Sequence, residues 1–317
     1  MRKSAGIDMM LQLPKRKSRT QLFLKQWRIH VILIPVSIWA ILIFYVPALG
    51  NIIAFQNYKI EKGYLGSSWV GLKHFKDFLT NSMTIQLLRN TLAMSIMSLV
   101  FGTLSSLFFA LLLNEIRHIS FKRLTQSISY LPYFISMAIC ANLFIQILSP
   151  NGPINSILIS MGVLKDSFSF LQEPRLFWWI VTIQGIWKNV GWSSIIYLAA
   201  IAAIDQEIYE ASHVDGAGRF KCIWFITLPS ILPTVAILMI LSSGYLIMGG
   251  FEQQLLMFNP IVMDYAEVLQ TYVFKRGIGH QQYSFAAAVN LFQSVISVTI
   301  IYIVNRIFSK TTDTSIW

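Results

Sequence analysis

Charge is what this chain has least of. Aspartate and glutamate together number 14 in 317 residues, and all charged types make up 12 %, where a soluble domain carries about 25 %. That leaves too little polar surface to cover a globule in water, which excludes an ordinary soluble enzyme. Cysteine is nearly absent too. Cys140 lies in an apolar run and Cys222 in a basic stretch, so neither a disulfide framework nor a metal site is expected. There is no Gly-x4-Gly-Lys-Ser/Thr segment, and hence no P-loop. Gly216-Ala217-Gly218 begins like a dinucleotide motif, but Lys221 stands where the third glycine belongs. What is abundant is apolar surface: 55 % hydrophobic residues, with 22 Phe, 12 Tyr and 9 Trp, and a mean hydropathy of +0.59. These values imply an all-α integral membrane protein and exclude a disordered chain. The net charge of +11 lies in tails and loops beside long apolar runs, so it is expected to orient the chain in a membrane rather than to hold nucleic acid.

A spanning helix needs about 20 apolar residues, and six stretches qualify. They run from Ile29 to Tyr58, Asn90 to Leu113, Leu124 to Leu148, Leu176 to Ala203, Ile226 to Met248 and Phe285 to Val304. The first is interrupted by Pro35 and Pro47, which membrane helices tolerate; it is too long for a signal-peptide core and is read as retained. Fifteen Lys and Arg residues fall on the side of the two termini and nine on the other, with Lys188 alone in mid-span. Both termini are therefore expected in the cytoplasm. The expected organisation is a basic tail (1–28), a transmembrane domain (29–304) and a second short cytoplasmic tail (305–317). The outer connections after the first and fifth spans are too long for simple turns. Gly71 to Leu79 reads as a short amphipathic piece, and Asp264 to Phe274 as a helix with Ala266, Leu269 and Val273 near one face. These outer pieces either form a docking platform or seal the bundle.

The connection between the fourth and fifth spans is the most informative part of the chain. Asp205 is placed to cap a helix carrying Glu207 in its first turn, favourable against the helix dipole. Ile208, Ala211 and Ser212 share a face, Gly216 permits a sharp turn, and a second short helix with Phe220 and Trp224 leads into Leu228-Pro229. The result is a helix–glycine–helix elbow suited to a groove on another protein.

Glu210-Ala211-Ser212, Gly216 three residues on, and Ile226-x-Leu228-Pro229 after nine more resemble the EAA loop of binding-protein-dependent ABC importers. The one departure is Ser212 for the second alanine, also a small residue. Flanking stretches resemble the oligosaccharide branch of that family: Gly71-Leu72-Lys73-His74-Phe75, Leu131 to Ser136, Gly185 to Trp192 and Tyr283 to Val289. The resemblance covers nearly everything after residue 29. It implies the type I importer permease fold and a permease subunit in the cell membrane, in contact with lipid. A second permease subunit, often different, would pair with it. Two ATP-binding subunits, holding ATP and Mg, would dock below and an extracellular solute-binding protein above. The loop 205–229 would then be the coupling element. Glu210 would contact a basic residue of the ATPase, Ala211 and Ser212 would allow close packing, Gly216 would make the turn, and Asp215, Leu228 and Pro229 would belong to the same contact.

An ionisable residue in a span is a functional candidate. Lys188, with Gln184 one turn before it and Trp187 beside it, contacts a sugar, pairs with a carboxylate or carbonyl inside the bundle, or snorkels to one interface. Asn142, Gln146, Ser242, Ser243, Tyr245, Glu252, Asn290 and Gln293 are further candidates for the path, each alternatively a helix–helix hydrogen bond or, for Glu252, a solvated charge. Two other classes fit less well. An ion-coupled transporter needs intramembrane carboxylates, and no span core holds one; a membrane enzyme needs a convergent set such as His-Glu-x-x-His, and none is present. A permease for a peptide or amino acid is the nearest alternative.

Overall fold

The structure is a computed structural model that describes residues 26–311. Most of the basic tail and the end of the C-terminal tail lie outside those residues. The chain divides into two compact units, Met1–Ile52 and Ile53–Trp317.

The first unit contains α1 (Trp27–Ala40), with Pro35 inside it, followed by a π turn at Ile41–Tyr45 and a short helix at Val46–Leu49. Pro47 has no N–H to donate, and the wide turn just before it accommodates that loss. No side chain of α1 is buried. The run Trp27–Phe55 is the most apolar stretch of helix, with a hydropathy of 2.4.

The second unit opens with a two-stranded antiparallel hairpin, β1 (Gln56–Asn57) and β2 (Ser68–Trp69), in which Gln56 faces Trp69. It continues into α2 (Lys73–Leu79), which buries Phe78. This fulfils the amphipathic expectation for that segment. Next come α3 (Thr84–Glu115), α4 (Ile119–Phe134), α5 (Met137–Ile147), α6 (Pro174–Ala202) and α7 (Gln206–Val214). They are followed by α8 (Arg219–Ser243), α9 (Phe251–Met257), α10 (Leu269–Phe274) and α11 (Tyr283–Thr311). α3 and α6 pack along most of their length, and α8 packs on both and on α11. The core is apolar where these helices meet, with Ala110, Tyr197, Ile201 and Ile231 in one cluster and Met94, Phe177 and Val181 in another.

Among the described residues, four helices are long and apolar enough to cross a membrane, or five if α4 and α5 form one broken span. α6 is also long, at 29 residues, but Gln184, Lys188 and Asn189 dilute its apolarity. The third stretch, expected as one span from Leu124 to Leu148, is instead two helices bent by 101°. Two extended residues, Ile135 and Ser136, make the break. Pro132 supplies no N–H, and the Ser136 hydroxyl accepts from the Ile139 N–H at 3.3 Å, capping the new helix.

The fifth span begins earlier than expected. The second short helix of the elbow runs on through a π turn at Ile223–Thr227 into the rest of α8. The expected helix from Asp264 to Phe274 is interrupted at Glu267–Val268. There Glu267 is buried, its carboxylate bonded to Lys275 Nζ at 2.6 Å and to the Thr271 hydroxyl at 2.9 Å. Asn90 of α3 donates to the backbone oxygens of Asp264 and Glu267, pinning this segment to the bundle.

Candidate functional site

The elbow is built from local chemistry. Asp205 is the N-cap of α7, its Oδ1 accepting from the Glu207 N–H at 3.0 Å. At the far end Gly216 adopts φ +77°, the left-handed region that favours glycine. The Gly216 N–H bonds to His213 O and the Ala217 N–H to Ser212 O, the paired bonds of a Schellman motif. The chain thus reverses direction within about one turn and leaves few carbonyls unpaired.

Side chains then lock α7 onto the start of α8. The Tyr209 hydroxyl meets the Thr227 hydroxyl at 2.8 Å, and the Ser212 hydroxyl meets the buried Cys222 sulfur at 3.4 Å. A loose, half-exposed ion pair at 3.9 Å joins Arg219 to Glu115 at the end of α3. Of the expected coupling residues, Glu210, Ala211, Asp215 and Gly216 face outward. Ser212 turns inward against Cys222. Leu228 is half-buried and Pro229 exposed, both inside α8.

Beside the outward residues stand apolar side chains with nothing covering them. Val214 is 89 % exposed and Phe220 88 %, with Trp224 and Phe225 also largely bare. Trp224 and Phe225 lie in a helix apolar enough to cross a membrane, where lipid can cover them, whereas Val214 and Phe220 stand bare among the charged residues of the elbow. Sequence reasoning placed Phe220 and Trp224 in the elbow but missed Val214 and Phe225, which carry no signal apart from their neighbours.

The second feature is a cavity of about 480 Å³ framed by α3, α6, α8 and the segment leading into α9. Its lining is uncharged and more apolar than polar: Leu99, Ile186, Val190 and Leu238 stand among Ser95 and Ser98 from α3, Asn189 and Ser193 from α6, then Ser242 and Gln253. Tyr245 and Trp192 give it aromatic surface. These small polar residues recur every three or four positions on α3 and α6, a stripe on one helix face. That spacing was the available signal, and single-residue reasoning overlooked it.

Of the expected path residues Ser242 and Tyr245 line this cavity. Gln184 is buried just behind it, where its Oε1 accepts from Gln253 Nε2 at 2.9 Å and its Nε2 donates to Cys140 Sγ at 3.4 Å. Asn142 and Gln146 are exposed on α5, and Trp187 packs against Phe144 with ring centres 5.7 Å apart. Glu252 is exposed in the first turn of α9, and Asn290 is exposed on α11.

Of the contacts expected for Lys188, the structure shows those with backbone carbonyls. Its Nζ donates to the backbone oxygens of Pro132, Tyr133 and Ile135. Beside it the Tyr133 and Trp192 rings stack at 4.5 Å with 7° between planes.

Residues 98–313 match the family described as the inner membrane component of binding-protein-dependent transport systems. Protein LplB of Bacillus subtilis (strain 168) is 40 % identical over 283 residues, covering 89 % of this chain and 88 % of that one. A polygalacturonan/rhamnogalacturonan transport system permease protein, YteP, of the same organism is 37 % identical over 300 residues, covering 93 % of each. Among solved structures, a chain of a bacterial alginate ABC transporter, in complex with its alginate pentasaccharide-bound periplasmic protein, superposes with a TM-score of 0.85. That match is at 33 % identity and covers 95 % of this chain and all of that one. The chain belongs to the family of inner membrane components of binding-protein-dependent transport systems.

Proposed function

We propose that this chain is a permease subunit of an ATP-driven importer that carries an oligosaccharide across the cell membrane. It forms part of the path and couples through its elbow to ATP-binding subunits that do the hydrolysis. The observation that carries the reading is the exposed elbow, with Glu210 and Ala211 beside bare Val214 and Phe220. It is rooted directly on α6 and α8, two of the helices that frame the cavity. A push on the elbow therefore acts on the cavity wall without an intervening flexible link.

The cavity lining supports a saccharide cargo. Small hydroxyls and carboxamides match sugar hydroxyls, and Trp192 and Tyr245 offer faces to a pyranose ring. The relatives named for polygalacturonan and alginate agree in substrate class. In this reading α4 and α5 form one broken span and α6 is a full span, giving six with α1, α3, α8 and α11. Both termini lie in the cytoplasm. A second, different permease subunit pairs with this one, two ATP-binding subunits holding ATP and Mg dock at the elbows, and a solute-binding protein docks outside. The exposed Asn142 and Gln146 face the path or the second permease subunit, since hydrocarbon is a poor solvent for carboxamides.

Proteoliposomes bearing the whole complex test this directly, with ATP trapped inside and binding protein outside. Labelled oligogalacturonate should accumulate only with both ATP and binding protein. Accumulation driven by an ion gradient alone would overturn the reading in favour of an ion-coupled transporter, and accumulation of a peptide in place of the saccharide would replace the cargo.

A further inference from the structure

We propose that Lys188 is a positioning residue: it holds the break between α4 and α5 and makes α6 the rod that carries elbow movement to that break. The inference rests on the coupling role of the elbow proposed above. An ammonium group has three N–H donors, and here they face three backbone oxygens, those of Pro132, Tyr133 and Ile135. Tyr133 and Ile135 lie where the chain leaves α4 and turns extended, so their oxygens lack the next turn's N–H donors, while the Pro132 oxygen also accepts from the Ile135 N–H at 3.2 Å. Within a membrane no water is at hand to satisfy them. The end of a helix also carries partial negative charge, which a cation complements. Lys188 is thus a helix cap contributed from another helix. With its donors engaged in this way, it is not free to bind a cargo carboxylate.

Two further contacts make the junction tight. A Cβ placed on Gly191 would lie 2.1 Å from the Ser129 backbone oxygen, so α6 touches the backbone of α4 there. One residue on, Trp192 stacks on Tyr133. Beyond the break, α5 is tied to the same rod through Cys140 and Gln184. α6 runs from Lys188 without interruption to Ala202, about 21 Å at helical rise. Three residues later Asp205 caps α7. Both halves of the broken span and the elbow are therefore attached to one rigid element, and the break is the place where they can change their relative angle.

Cys140 reports on that junction, because it is fully buried one turn past Ser136. The test uses the complete complex in lipid nanodiscs. N-ethylmaleimide modification of Cys140 is followed by mass spectrometry, alongside ATP hydrolysis with and without binding protein loaded with oligogalacturonate. Lys188→Met should speed Cys140 modification about tenfold, the effect of a local opening made easier by ~1.4 kcal/mol. It should also abolish the response of hydrolysis to loaded binding protein. Lys188→Arg, which keeps a cation and several donors, should restore protection and response. Wild-type protection together with a wild-type response in Lys188→Met would overturn the proposal. So would a simple rise in the oligogalacturonate concentration needed, with Cys140 still protected, which would make Lys188 a cargo contact. If Lys188→Met does not assemble, Gly191→Ala is scored by the same two readouts, and unchanged values there overturn the proposal. A wild-type complex that gives no response to loaded binding protein would count against the coupling reading, leaving Cys140 labelling to decide the cap.

Discussion

The elbow and the α4–α5 break both stop a helix in mid-course, and they do it with different chemistry. At the elbow the chain uses its own backbone. Gly216 in the left-handed region lets the N–H groups of Gly216 and Ala217 return to His213 and Ser212, and water can serve the remaining carbonyls. At the break after Phe134, no glycine turns the chain, and Lys188, over 50 residues away in sequence, satisfies the carbonyls instead. The difference teaches that a helix end exposed to water is specified locally, whereas one inside a bundle must be specified by a neighbouring helix. The shape of the elbow is therefore set by its own residues, while the break moves only when α6 moves.

Substitutions at the two helix ends should separate these modes. Gly216→Arg has the largest expected effect on transport. The site has open space around it, but a φ of +77° strains an arginine, and a cation is added to the outward face. Uptake should be abolished while the amount in the membrane is unchanged. Gly216→Asn, which tolerates that conformation, should retain most uptake. Normal uptake by the arginine variant would break the comparison.

Gly191→Ala comes next. Its methyl group would strike the Ser129 carbonyl, and overpacking of this kind typically costs about 1–3 kcal/mol. The midpoint of thermal aggregation of the purified complex should fall clearly. A milder loss is expected for Asp205→Ala, where removing the N-cap costs about 1 kcal/mol. Uptake should drop partially, and Asp205→Asn should restore it. Arg219→Ala should be nearly silent. Its ion pair with Glu115 is long and half-exposed, and such pairs contribute about 0–1 kcal/mol. A large effect there would mean that the elbow is anchored to α3 through charge rather than to α8 through Tyr209 and Ser212.

How much of this could be read from sequence follows the same division. The Asp205 cap and the Gly216 turn were legible because each depends on neighbours within a few residues, whereas an outward Glu210 followed from the resemblance to the EAA loop. The break at Ile135–Ser136 was not. Apolarity runs on through it from Leu124 to Leu148, and the residue that satisfies it lies on another helix. Lys188 was visible as an isolated intramembrane charge, yet sequence left its partner open between a sugar, a carboxylate and a carbonyl. The cavity was half-legible. Tyr245 was singled out, but Ser95, Ser98 and Ser193 each look unremarkable alone and become a lining only when α3 and α6 face one another. The π turns at Ile223–Thr227 and Ile41–Tyr45 end two residues before Pro229 and Pro47, so at these two places the helix widens rather than ends.

Coupling through the elbow is the central claim, and affinity purification of this chain from its native membrane tests it most directly. ATP-binding subunits should co-purify with the wild-type chain, and their ATP hydrolysis should rise when saccharide-loaded binding protein is added. With Glu210→Lys the chain should reach the membrane in equal amount but recover far less of the ATP-binding subunits and show no rise. Full recovery and a full rise with that variant would contradict the account.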